Sequence, residues 1–157
     1  LRNLLVRISI IFIISSLFIF NVVYYFHQYY IHSPIEYGYF WQYGYKEALG
    51  FAKENEGKFN NIIVTYEYDQ PYIYYLFYNK IDPVWYQKNW DYNKNGTIDR
   101  FKRIIGKYTF RNIDYSKDVS LPNALLIGTP QEIPDNAKVI KVIEFPDGKI
   151  AFKIVET

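Results

Sequence analysis

The sequence predicts an α/β protein, with one N-terminal transmembrane helix followed by a small α/β layer domain that ends in a β-hairpin. Three observations carry that expectation. Nineteen uncharged residues run from Ile8 to Phe26, helical and β-branched patterns alternate after them, and two β-rich runs near the C-terminus flank Pro146-Asp147-Gly148.

The apolar run, "ISIIFIISSLFIFNVVYYF", spans roughly 28 Å as a helix, close to the hydrocarbon thickness of a bilayer. A secretory signal peptide is the competing reading. The run is long for one, and no small-x-small cleavage pattern follows it. Arg2 and Arg7 flank its N-terminal side, whereas no Lys or Arg occurs from Ile8 through Tyr45. The positive-inside rule therefore puts the N-terminus in the cytoplasm and the rest of the chain outside the cell membrane. The helix with its cytoplasmic flank is expected over residues 1–27, and an aromatic exit segment over 28–41. Tyr24, Tyr25, Phe26, Tyr29 and Tyr30 form a cluster suited to the membrane–water interface, where amphipathic rings are favoured. His27 and His32 lie there too and are read as interfacial polar groups rather than metal ligands, Glu36 being the one nearby carboxylate.

The domain expected over 42–157 opens on an amphipathic helix. "QYGYKEALGFAKENEGKF" puts Tyr45, Ala48, Leu49 and Ala52 on one face, and Gly57 supplies a stop. "NNIIVTYE" is a short β-branched run of the kind that forms a buried strand, Asn61 to Thr65, and a helix then starts near Pro71 in "QPYIYYLFYNK". "KYTFRNID" and "NALLIGTP" read as further strands, the second broken by Thr129-Pro130 before the short "PQEIPDNA" segment. "KVIKVIEF" and "KIAFKIVE" complete the hairpin across Asp-Gly. One sheet with helices packed on it accounts for these elements.

Composition narrows the function classes. A chain without cysteine has no disulfide framework and no thiolate metal site, and a net charge of +2 spread along the length gives no basic footprint for nucleic acid. The absence of methionine, even at position 1, implies a piece of a longer protein. "DYNKNGTIDRFK", 91–102, has the alternating Asp91, Asn93, Asn95 and the turn Gly96 of a calcium loop, but its twelfth position is Lys102 where a bidentate Glu is needed. Lys94, Arg100 and Lys102 outweigh Asp91 and Asp99, so the stretch is read as a polar turn without a metal, and the Asn95 sequon as an unmodified tripeptide. No Ser-His-Asp set and no phosphate-cradling glycine loop is present, so no cofactor is implied.

The order of apolar helix, aromatic exit, "YGYKEAL", strand, "PYIYYLFYNKIDPVWYQ", "YTFRNIDY", "LLIGTP" and "FPDGKIAFKIVE" resembles the C-terminal end of bacterial polytopic glycosyltransferases. These belong to the superfamily of protein O-mannosyltransferases and aminoarabinose transferases, which use sugars carried on polyprenyl phosphate. The resemblance covers nearly the whole chain. It implies the last helix and an extracytoplasmic accessory or acceptor-side domain, partnered by the bilayer, the upstream transmembrane part of the same protein, and a lipid-linked sugar or glycan acceptor. The catalytic acidic residues of such enzymes lie in an early outer loop, and no residue here matches that motif. A single-span anchored binding module without enzymatic role is the alternative.

Candidate ligand-contacting residues come from two arguments. Ligands of open α/β sheets bind beyond the carboxyl ends of strands, which selects Glu67, Tyr68 and Asp69 in "TYEYDQPY"; the competing role for Asp69 or Gln70 is to cap the following helix. Trp85 and Trp90, like Trp41, offer flat faces for a sugar ring; the competing role is core packing beside Leu76, Phe77 and Val84.

Overall fold

The structure is a computed structural model that describes residues 2–89 and 103–157. The calcium-like stretch 91–102 with its sequon, and Trp90, lie outside the described residues. The chain divides into two units, Leu1–Gly38 and Tyr39–Thr157.

The first unit is helical. α1 (Arg2–His27) passes through a wider turn at Gln28–His32 into α2 (Ser33–Glu36). From Asn3 to Glu36, 34 residues form a helix long and apolar enough to cross a membrane, with its most apolar stretch unburied. Asn21 donates its side-chain amide to the Leu17 carbonyl at 2.8 Å, so the one amide in the apolar run finds its partner inside the helix. The helix continues nine residues beyond the expected end at 27, and the reason is local. Pro34 has no N–H to donate, and the turn before it switches to i→i+5 bonding, with the Ser33 N–H on the Gln28 carbonyl, which lets the helix continue past the proline. Stacked pairs one turn apart, Tyr25 with Tyr29 and Phe26 with Tyr30, and the His32–Glu36 contact at 3.0 Å line the same stretch.

The second unit carries the sheet. α3 (Tyr45–Glu54) buries Tyr45, Ala48, Leu49 and Ala52, the face its spacing predicts. β1 (Asn61–Val64), α4 (Pro71–Tyr78), α5 (Pro83–Asn89), β2 (Arg103–Ile105), β3 (Tyr108–Phe110), α6 (Tyr115–Asp118), β4 (Ala124–Gly128), β5 (Val139–Glu144) and β6 (Ile150–Glu156) follow. The six strands form one sheet in the order β2-β3-β1-β4-β6-β5. β3, β1 and β4 are mutually parallel at its centre, and antiparallel β2 on one side and the β5–β6 hairpin on the other complete it. β4 is buried along its whole length, as a central strand covered on both faces must be.

Alternation along β1 divides the core. Ile62 and Val64 face α3 and α4, in a cluster with Tyr45, Tyr75, Phe110, Ile127 and Phe152. Ile63 faces the other way, toward Ile113, Leu126, Ile133 and Val155. The connection after β1 thus runs over one face of the sheet, and the segments after β3 and β4 run over the other.

The hairpin closes as Asp-Gly requires. Gly148 stands at φ +83° and donates its N–H to the Phe145 carbonyl at 2.9 Å, and Asp147 accepts the Lys149 N–H. β2 was not expected from the sequence. It forms because Ile105 and Tyr108 pair across the two-residue turn Gly106-Lys107, with Gly106 in the left-handed region at φ +60°. α5 and α6 were also not expected, being too short for periodicity to reveal.

Gly44, just before α3, is held at φ +97°, and a Cβ there would stand 2.9 Å from the Phe152 ring. Gly106 has a positive φ with open space around it. Gly44→Ala is therefore expected to cost about 2 kcal/mol or more, strain plus a ring displacement, and Gly106→Ala only about 1 kcal/mol from strain. Urea unfolding of the detergent-solubilised chain checks the order, and equal losses would overturn it.

Candidate functional site

Three parallel strands end at one edge of the sheet, and their connections leave toward opposite faces. That is the geometry in which open α/β sheets form a ligand crevice. Here a side chain of the protein fills it. Glu132 Oε1 accepts the Thr65 hydroxyl at 2.8 Å and the Ile113 N–H at 2.8 Å. Its Oε2 accepts the Thr129 N–H at 2.9 Å and the Thr129 hydroxyl at 3.0 Å. The donors come from the ends of β1, β3 and β4, and they occupy the roughly four lone-pair positions of a carboxylate.

Thr65 extends this network. Its hydroxyl also accepts the Glu67 N–H at 3.0 Å, its N–H bonds the Ile127 carbonyl, and its carbonyl accepts the Tyr45 hydroxyl at 3.0 Å. Beyond Ile113, Arg111 forms a two-pronged pair with Asp118 at 2.6 and 2.8 Å, and Asp118, only 5% exposed, also accepts the Asp114 N–H. That carboxylate raises the Arg111 pKa, chiefly through the hydrogen bond.

The residues selected from the sequence separate on this frame. Glu67 is exposed and meets Asn112 Nδ2, past the end of β3, at 3.4 Å. Asp69 and Gln70 are exposed as well. Asp69 is held in the left-handed region at φ +62° by the turn whose Asp69 N–H reaches the Tyr66 carbonyl, and its carboxylate accepts the next N–H, that of Gln70, at 3.0 Å. Gln70 occupies the cap position of α4 and makes no side-chain cap bond; it accepts the Tyr72 hydroxyl instead. The capping role for either residue is thereby corrected: the Asp69 carboxylate is taken by the Gln70 N–H and the Gln70 amide oxygen by the Tyr72 hydroxyl, so neither accepts a backbone N–H of the first turn.

Tyr68 turns inward. It is 7% exposed, donates its hydroxyl to the Ala151 carbonyl at 3.0 Å and packs on Tyr45, Phe145 and Phe152. Its ring and hydroxyl are engaged within the core, and of the three residues Glu67, Tyr68 and Asp69 only the two carboxylates are exposed. Core packing holds for Leu76, which packs against the main cluster, but is corrected for Phe77, Val84 and Trp85, which are 74%, 55% and 47% exposed; on α4 the inward face is taken by Pro71 and Tyr75, and α5 buries none of its residues. Nearby, Arg103 stacks its guanidinium 4.0 Å over the Tyr72 ring and donates to the Tyr86 hydroxyl at 3.5 Å, bracing α4 and α5 against β2.

Glu132 was missed in the sequence, although "TPQE" has the Thr-x-x-Glu spacing in which a carboxylate returns to the first residue's N–H. The two donors from β1 and β3 had no such signal.

No family model, no curated protein sequence and no solved structure matches the chain. What the fold and the site define is a mixed α/β domain behind one apolar helix, with a protein carboxylate seated where its parallel strands end.

Either orientation of a Gln side chain at 132 would turn an NH₂ group against a backbone N–H, of Ile113 or of Thr129. Glu132→Gln is therefore expected to lose about 2 kcal/mol of unfolding free energy, while Glu67→Gln stays within about 0.5 kcal/mol of the parent. Chemical denaturation of the two variants checks this, and equal stability would remove Glu132 from its structural role.

Burial pushes the Tyr68 and Tyr86 phenols up to about 12 and raises Tyr45 and Tyr108 as well. The fold prefers the neutral phenol, so this stability is complete below the ordinary value of 10.0 and is lost as pH rises from there through about 12. A thermal-melt series over that window is expected to fall, and less steeply for Tyr68→Phe; identical slopes would contradict the assignment.

Proposed function

We propose that this chain is a membrane-anchored binding domain of a glycosyltransferase that takes its sugar from a polyprenyl-phosphate carrier. In this reading α1 crosses the bilayer with Arg2 and Arg7 on the cytoplasmic side, and the α/β domain works outside. The chemistry belongs to acidic residues in an upstream transmembrane part, and this domain contributes to holding the sugar or its acceptor.

The observation that carries the binding reading is the division of labour at the strand ends. Glu132 is consumed by four internal donors and has no lone pair left for a substrate or a proton relay. Glu67 and Asp69, in the loop after β1, are exposed and less fully engaged, and carboxylates beside the Asn112 and Gln70 amides are a donor–acceptor set suited to sugar hydroxyls. The resemblance of ordered segments to the end of polyprenyl-phosphate-dependent transferases supports the choice of a glycan over other polar ligands.

The test uses the complete gene product, assayed for transfer from a polyprenyl-phosphate sugar. Glu67→Gln and Asp69→Asn each retain shape, and Asn tolerates the left-handed backbone at position 69. Both are expected to lower turnover several-fold with an unchanged melting temperature. Unaltered turnover in both would remove the loop from the site, and a gene product without further hydrophobic spans or transferase activity would favour the single-span binding module instead.

A further inference from the structure

We propose that the outward face of α4 and α5 is a lipid-contacting surface that rests in the headgroup region of the bilayer. The inference depends on the anchored reading above and adds to it a second point of membrane contact, made by the domain itself.

α4, "PYIYYLFY", has no charged residue and carries two apolar faces. Pro71 and Tyr75 face the core, whereas Ile73 and Phe77, one turn apart, face outward. Val84 and Trp85 extend that outward face onto α5. Between the two helices lies an open groove of about 510 Å³, lined almost wholly by apolar atoms of residues that include Ile73, Leu76, Phe77, Ile81 and Pro83. Lys80 stands at its edge, and Lys88 is exposed on the last turn of α5. The carboxylate in the connection, Asp82, is engaged by the Val84 N–H at 2.9 Å.

Four large apolar side chains, Ile73, Phe77, Val84 and Trp85, left exposed beside an apolar groove are costly in water and point to a contact site. Its composition selects the partner. Trp and Phe with aliphatic neighbours and flanking lysines are the set that settles at a membrane–water boundary, rings among the glycerol groups and ammonium groups on lipid phosphates. Chain continuity selects it again. The domain begins at Tyr39, immediately after the unit that contains the apolar helix, so a bilayer crossed by that helix is the surface always within reach.

The experiment uses the full chain reconstituted in phosphatidylcholine–phosphatidylglycerol vesicles. Trp41→Phe and Trp90→Phe leave Trp85 as the sole tryptophan of the chain. Lipids brominated near the headgroup end of the acyl chains are expected to quench roughly half of its emission, because the apolar face of an interfacial helix lies ~5–10 Å into the headgroup–acyl boundary. Adding Phe77→Asp and Val84→Asp is expected to restore the emission without changing the melting temperature, since both side chains are exposed. As a second probe in the otherwise native chain, which has no cysteine, Val84→Cys carries a nitroxide expected to be relaxed more by oxygen than by an aqueous nickel chelate.

A chain that fails to float with the vesicles would sink the anchored reading itself. A chain that floats with Trp85 unquenched and open to iodide would overturn the lipid-contacting face alone. Trp85 shielded from both quenchers, with concentration-dependent cross-linked dimers, would assign the face to a second copy and overturn it equally.

Discussion

The Glu132 carboxylate is the constraint on which the α/β domain depends. Parallel strands whose connections depart to opposite faces diverge at their carboxyl ends, leaving backbone N–H groups and hydroxyls without ladder partners. Glu132 gathers those of β1, β3 and β4 on two oxygens, with every contact between 2.8 and 3.0 Å. A carboxylate accepts without donating, so a cluster of donors matches it, and the charge strengthens each bond. Thr65 passes the constraint outward, through Glu67 N–H to the candidate loop and through Tyr45 to the first helix of the domain.

That arrangement has a functional consequence. With its oxygens taken by four internal donors, Glu132 is a structural group, and under the proposed binding role contact with ligand would fall to the exposed loop beside it. That loop holds the turn from Tyr66 to Asp69, with Tyr68 anchored on Phe145 and Phe152 and left-handed backbone at Asp69 fixing the direction of the carboxylate. Strain of that kind persists only where the surroundings enforce it. Away from the loop, α4 and α5 expose Ile73, Phe77, Val84 and Trp85, the face for which we propose a bilayer as the cover.

Aromatic content connects the two units chemically. In the helical unit, rings stack along one turn and remain exposed, as Phe26 and Tyr30 do. In the domain, Tyr45, Tyr75, Tyr108 and Phe110 build the core, with Tyr75 and Tyr108 centred 4.4 Å apart. Tyrosine suits both settings because an apolar body ends in a hydroxyl that can bond a carbonyl when buried, as those of Tyr45 and Tyr68 do, while the buried Tyr108 hydroxyl makes no hydrogen bond among the described residues.

The sequence by itself determined whatever rests on neighbours a turn or a hairpin apart. The uncharged run of α1, the buried face of α3, the β-branched β1 and the Asp147-Gly148 turn are all properties of short windows, and each formed as its pattern required. Pro34 already lay at the limit of this reading, since a single widened turn carried the helix beyond the proline. Only the tertiary structure decided the strand order, the inward turn of Tyr68, the outward turn of Phe77 and Trp85, and the part played by Glu132. Thr65 lies 67 residues from Glu132 and Ile113 lies 19, so no local period or spacing links them. They meet because three parallel strands end together, and which strands those are is settled by burying both faces of the sheet at once.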